Sequence, residues 1–152
     1  MKIVRQHYLR ISVLFACLLF ATACDRIVGR YYYEAGERFY FAGNYSEAIK
    51  CFDGAIKYHY QLRESYAMRG LAHYELGEYD TAIADNNQAL VISPNYAMAY
   101  NGRGVAYYRK GEMDKALADM EKVLQYSTDP SLKEPAAKIV KALKARTPPE
   151  VP

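Results

Sequence analysis

The chain has few of the residues that usually carry chemistry. Its 152 residues include only 3 cysteines, Cys17, Cys24 and Cys51, and 3 histidines, His7, His59 and His73. No HxxxH or CxxC spacing occurs among them, so no metal site is expected. Glycine-rich phosphate loops and serine-nucleophile motifs are also missing, because the glycines recur at regular intervals instead of clustering. These absences lower the expectation of an enzyme and give no reason to expect a cofactor. Glu75, Glu78 and Asp80 gather around a turn and read as exposed helix-end charges; catalytic work by such an acidic group is the weakest reading.

Positive charge is scarce once its location is considered. The whole chain has 20 basic and 17 acidic residues, but Lys2, Arg5 and Arg10 stand at the N-terminus, where there are no acids. They precede an apolar run, Ile11 to Phe20, and then the small residues Ala21, Thr22 and Ala23 before Cys24. That is the layout of a secretory signal over residues 1–23, and the run falls short of the ~20 apolar residues a transmembrane helix needs. Without this segment the basic residues also number 17, which removes any argument for nucleic-acid binding. The small residues before Cys24 resemble a bacterial lipoprotein box, which implies lipidation at Cys24 and a membrane anchor; the alternatives are simple secretion after cleavage and an uncleaved anchor. Cys17 then leaves with the signal, and Cys51 has no partner for an intramolecular disulfide. Cys51 reads as a small, partly buried residue, and the fold must rest on packing.

What the sequence has in quantity is repetition. Shifting it by 34 residues aligns Gly36, Gly70 and Gly104, and likewise Gly43, Gly77 and Gly111. Tyr32, Tyr66 and Tyr100 coincide, as do Ala48, Ala82 and Ala116, and Tyr40, Tyr74 and Tyr108. Each unit reads as two short helices separated by the second glycine column, where glycine adopts the left-handed conformation cheaply and closes a helix. Such a hairpin cannot bury its apolar face alone, and about three stacked copies are needed.

These residues resemble the tetratricopeptide repeat (TPR) family, in the aromatic-x3-Gly openings, the Gly43/Tyr45 and Gly77/Tyr79 turns, the alanine columns and Pro94 closing the second unit. The resemblance implies an all-α TPR solenoid of three helix-turn-helix repeats, about 29–62, 63–96 and 97–130, within a domain over 30–146. Asn86 departs from the pattern, standing where Phe52 and Met120 occupy the other copies. Leu132, Ala136, Ile139 and Leu143 recur at helical spacing and resemble the helix that caps a TPR stack, about 131–146. Its start has a capping-box pattern from Ser131 to Glu134, and Pro135 predicts that the regular helix begins only there. Lys133, Lys138, Lys141, Lys144 and Arg146 make it basic. Residues 24–29 read as the lipidated cysteine and a short tether, holding the domain within about 20 Å of the headgroups, and 147–152 as a disordered tail.

The family's first helices line a concave face. By resemblance, the groove would be formed by Tyr33, Tyr40, Phe41, Met68, Leu71, Tyr74, Met98, Asn101, Val105, Tyr108 and Arg109. An aromatic lining suits recognition of a protein or peptide segment. Glu34 and Glu37 stand where some relatives carry a Lys and Asn clamp for a carboxylate tail. His73 shares a column with Phe39 and Tyr107 and reads as a packed, hydrogen-bonded imidazole. The expected function is an exported, lipid-anchored adaptor in the cell envelope that binds a segment of another envelope protein. Asp25 resembles an inner-membrane retention signal, implying the periplasmic face of the inner membrane in a two-membrane bacterium. The alternatives are a self-assembling homo-oligomer and an envelope enzyme using unrecognised acids.

Overall fold

The computed structural model describes residues 24–146, and among these every regular element is a helix. The expected export segment 1–23 and the expected tail 147–152 lie outside the described residues. Helix α1 covers 24–41, α2 Tyr45–Lys57, α3 Leu62–Glu75, α4 Tyr79–Ile92, α5 Ala97–Lys110, α6 Met113–Tyr126 and α7 Pro130–Arg146. The fold is the three-repeat TPR solenoid with a capping helix, as the resemblance implies.

The repeat begins at its turns. Gly43, Gly77 and Gly111 have φ of +77°, +79° and +82°, the region that costs an L side chain most. The chain then closes on itself identically three times. The N–H of each glycine donates to the carbonyl three residues back, Tyr40, Tyr74 or Tyr108, and the next N–H donates to Phe39, His73 or Tyr107. These bonds satisfy carbonyls that a helix end leaves open.

A second glycine column lets the two helices of a hairpin approach. A Cβ at Gly36 would lie 2.7 Å from Phe52 Cε1, one at Gly104 would lie 2.8 Å from Met120 Cε, and one at Gly70 would lie 2.8 Å from Asn86 Nδ2. Phe52, Asn86 and Met120 are thus three versions of one knob, seated on a glycine. The core is accordingly a string of small clusters. Ala48 and Phe52 of α2 meet Met68 and Ala72 of α3, Ala89 of α4 meets Ala67 and Ala99, and Met120 and Val123 of α6 meet Ala136 of α7.

Helix α3 touches α5 and α5 touches α7, whereas α2, α4 and α6 do not touch one another. The first helices therefore form the crowded inner row and the second helices the splayed outer row. That arrangement gives the stack its concave side.

Two expectations about helix starts are corrected. Helix α7 begins at Pro130 and runs through Pro135. Its first turn is organised by Asp129, whose Oδ1 accepts the Ser131 N–H at 2.8 Å, and not by the Ser131 to Glu134 box. Pro130 loses nothing as the first helical residue, and Pro135 is tolerated on the exposed side of the helix. Residues 24–29, expected as a tether, form the first turns of α1. Gly29 explains why: it is buried, and a Cβ there would lie 2.6 Å from Tyr60 Cβ, so the domain's packing already begins at this turn.

Candidate functional site

The inner row sorts the eleven groove residues into walls and core. Phe41 is 79 % exposed and Tyr108 41 %, and Arg109 is also exposed. These three offer contact area outright. Tyr33, Tyr40 and Leu71 are half-buried against the Phe52 cluster, Tyr74 against Ala82, Ile83 and Ala106, and Val105 against Met120 and Val123. Each is packed on one side and remains partly open on the other. Met98 and Asn101 are half-buried on α5, and the Met98 sulfur accepts the Tyr96 hydroxyl at 3.4 Å. Met68 does not belong in the groove: it is buried against Phe52 and Ala72, because α2 covers its side of α3.

The aromatic walls are held by one another. Tyr40 meets Phe41 edge-on and Tyr45 at a tilt, both at 5.5 Å between centroids. Tyr74 meets Tyr79 at 5.6 Å. Arg109 crosses the joint between the second and third repeats, its Nε donating to the Tyr74 hydroxyl at 3.0 Å and its guanidinium lying over the same ring at 5.9 Å. These contacts fix the aromatic side chains in place, with a cation beside Tyr74.

Glu37 stands beside Tyr33, while Glu34 is paired with Arg30 at 2.6 Å and Glu64 with Arg63. Burial first, and then Glu37, pushes the Tyr33 phenol well above its ordinary value. Burial does the same for Tyr40, helped by Glu75, and for Tyr96, helped by Glu64. These phenols stay protonated and can donate as well as accept hydrogen bonds. Beyond these side chains, a shallow pocket at the hairpin-turn edge is lined by Gly43, Asn44, Tyr45, Ser46, Glu47 and Leu76. It holds no pair of titratable groups aimed at one point, since Glu47 is turned to Lys50.

The structure also shows a network absent from the sequence reading. Arg69 forks onto Asp85, Nε to Oδ2 at 2.9 Å and Nη2 to Oδ1 at 2.5 Å, and reaches Asp53 of the previous repeat through Nη1. Arg103 repeats the fork onto Asp119 at 2.8 and 2.7 Å and reaches Asn87 at 2.6 Å. The next joint is closed by Lys144 of α7 on Glu121 at 2.7 Å. Hydrogen bonding to Asp85 and to Asp119 is the main cause holding both guanidinium groups above their usual range. The signal was available, because Arg69 and Arg103, and Asp85 and Asp119, are themselves columns 34 apart. The first repeat has Ala35 and Cys51 at those places and makes no such pair.

His73 is packed as expected, its Nδ1 2.5 Å from Glu78 Oε2 and its Nε2 3.9 Å from Asp85 Oδ2. Cys51 is half-buried, and burial followed by Glu47 raises its thiol above the ordinary value, the opposite of activation. Among the described residues no group of three His, Cys, Asp or Glu side chains could hold a metal ion. Cys24 is exposed at the start of α1.

Comparison with known proteins supports the family. Residues 70–111 match the family model described as TPR repeat, and residues 97–129 the model described as tetratricopeptide repeat. No curated protein matches the chain by sequence. Among solved structures, the first TPR domain of Spaghetti (RPAP3) bound to the HSP90 peptide SRMEEVD is similar with a TM-score of 0.70 and 25% identity, over 78% of this chain and 98% of that one. The TPR domain of Arabidopsis OM64 is similar with a TM-score of 0.75 and 23% identity, over 81% and 99%. The Yersinia enterocolitica type III secretion chaperone SycD, in complex with a peptide of the translocator YopD, is similar with a TM-score of 0.70 and 20% identity, over 77% and 92%.

Proposed function

We propose that this TPR-fold chain is a non-enzymatic, membrane-tethered adaptor. It holds a segment of another envelope protein in a trough running from Phe41 past Tyr40, Tyr74 and Tyr108 to Arg109. The observation that carries the reading is that the exposed rings of Phe41 and Tyr108 stand among aromatic side chains fixed by ring contacts and by the Arg109 to Tyr74 bridge. Aromatic anchors that are rigid before binding lose little side-chain entropy on binding. That an HSP90 peptide occupies the RPAP3 domain and a YopD peptide occupies SycD supports the class of ligand.

The charge pattern argues for a different peptide from SRMEEVD, which carries two glutamates and an aspartate. Glu37, beside Tyr33, repels such a segment at the first repeat, and Arg109 is the cation near the other end. The fitting ligand is aromatic or aliphatic in its middle and neutral or basic where it meets α1. Tethering is proposed through lipid at Cys24 after loss of residues 1–23, on the periplasmic face of the inner membrane if the host has two membranes.

Partner capture from host membranes tests this reading. Phe41→Ala and Tyr108→Ala each remove an exposed ring, so capture of the dominant partner falls about ten-fold or more per residue with Tm unchanged. Capture that survives both changes contradicts the trough. A Cys24→Ala chain still found wholly with the membranes contradicts the lipid.

A further inference from the structure

In α3 and α5 one stripe is always covered by the preceding repeat: Ser65, Met68 and Ala72 are buried, as are Ala99, Gly102 and Ala106. Met68 and Ala72 pack on Ala48 and Phe52 of α2, and Ala106 on Ala82 and Ile83 of α4. The corresponding stripe of α1, 34 residues earlier, is Tyr31, Glu34 and Arg38, all exposed, since α1 is the first of the described helices. At 100° per residue, Cys24 and Ile27 fall on the same stripe, all five residues within roughly 80° of arc. The stripe changes character along its length. Its first turns carry Ile27, 69 % exposed, and Tyr31, 64 % exposed, and its later turns carry only charge.

This gradient discriminates between possible occupants. A second copy stacking as a further repeat needs the uncharged and mostly small residues that let α3 and α5 come close, and α1 has Tyr31, Glu34 and Arg38 in their place. A bilayer makes no such demand. At ~1.5 Å per residue, Ile27 and Tyr31 lie within about 10 Å of Cys24, and Arg38 lies about 21 Å away. The apolar half is thus the half beside the anchor. Tyrosine suits the headgroup layer, where its ring is buried and its hydroxyl stays wet.

We propose that the first two turns of the α1 stripe lie in the interfacial layer of the membrane, with Ile27 and Tyr31 inserted beside the lipid on Cys24. The solenoid then stands on its first helix in a fixed orientation and does not swing on a tether. This rests on the tethering proposed above. Because residues 24–29 are helical and Gly29 is packed against Tyr58 and Tyr60, the orientation of α1 is passed directly to the repeats.

The test uses the full chain matured in its host and reconstituted into vesicles of phosphatidylethanolamine and phosphatidylglycerol. An environment-sensitive fluorescent amino acid is placed at position 27, 31 or 38, and brominated lipids serve as quenchers. The expected result is a blue shift with quenching at 27 and 31, neither at 38, and loss of the position-27 signal in Tyr31→Asp with Tm in detergent unchanged. A chain that floats with the vesicles but reads aqueous at 27 and 31 overturns the docking while leaving the tether intact. A blue shift at 31 that escapes lipid quenching and grows with protein density overturns it in favour of a second copy. Protein that leaves the vesicles altogether refutes the docking together with the tether.

Discussion

The residue that most constrains this fold is Arg69, because it forks onto Asp85, a carboxylate whose side chain is only 5% exposed, and also reaches back to Asp53. Truncating the arginine strands that carboxylate in the interior, so Arg69→Ala costs about 3 kcal/mol in denaturant unfolding. Arg69→Ala/Asp85→Cys imitates the Ala35 and Cys51 of the first repeat and recovers at least about 1 kcal/mol of that loss, since the buried charge goes too. A double variant no better than the single one would contradict this account. Asn86 predicts the opposite sign. Its Nδ2 donates to the Ala82 carbonyl at 2.8 Å, but its buried Oδ1 has no hydrogen-bond partner and lies where a Cβ of Gly102 would be 2.7 Å away. Asn86→Leu keeps the shape and removes the orphan acceptor, so it stabilises by about 1 kcal/mol, read as a higher Tm.

At the scale of elements, what was legible followed from periodicity, and what was missed depended on partners in other elements. Gly43, Gly77 and Gly111 announce their turns because positive φ is a local demand that one residue type meets. Likewise Ala136 and Leu143 announce the buried face of α7. The start of α7 was misread because Pro135 is costly only by local rules, whereas the helix is nucleated one turn earlier by Asp129 and held by Met120 and Val123 beneath Ala136. Restoring the missing donor should therefore help: Pro135→Ala supplies an N–H for the Ser131 carbonyl and stabilises by about 1 kcal/mol or more. An unchanged or lower Tm would show that the helix has adapted fully to the proline. Met68 was misplaced for a related reason, as helical spacing puts it on the inner side of α3 while only the position of α2 shows that it is covered. The Arg69 and Asp85 columns were visible at 34-residue spacing, but a recurring opposite charge pair becomes a contact only when the hairpin brings α3 and α4 together.

On the scale of the whole molecule, stability is spread over joints between neighbours, each with its own small cluster and its own polar link: Arg69 to Asp53, Arg103 to Asn87, and Lys144 to Glu121. The half-buried phenols Tyr33, Tyr40 and Tyr96 run through this assembly, and folding raises the pKa of all three. A raised phenol pKa means the neutral form is favoured in the folded state. Its contribution is complete below the unfolded value near 10 and is lost as pH climbs above it. Tm should hold steady from neutral pH to about 9 and fall above 10, with part of the tyrosinate absorbance appearing only on unfolding. Tyrosines that all ionise near pH 10 in the folded protein would contradict the packing described.

The most direct test of the trough as a binding surface is photo-crosslinking in the living host from position 108, on the inner row, against position 91, where Val91 is exposed on the outer row. The account predicts one dominant envelope partner captured from 108 and not from 91. The same partner from both positions, only copies of this chain, or capture confined to 91 would contradict it.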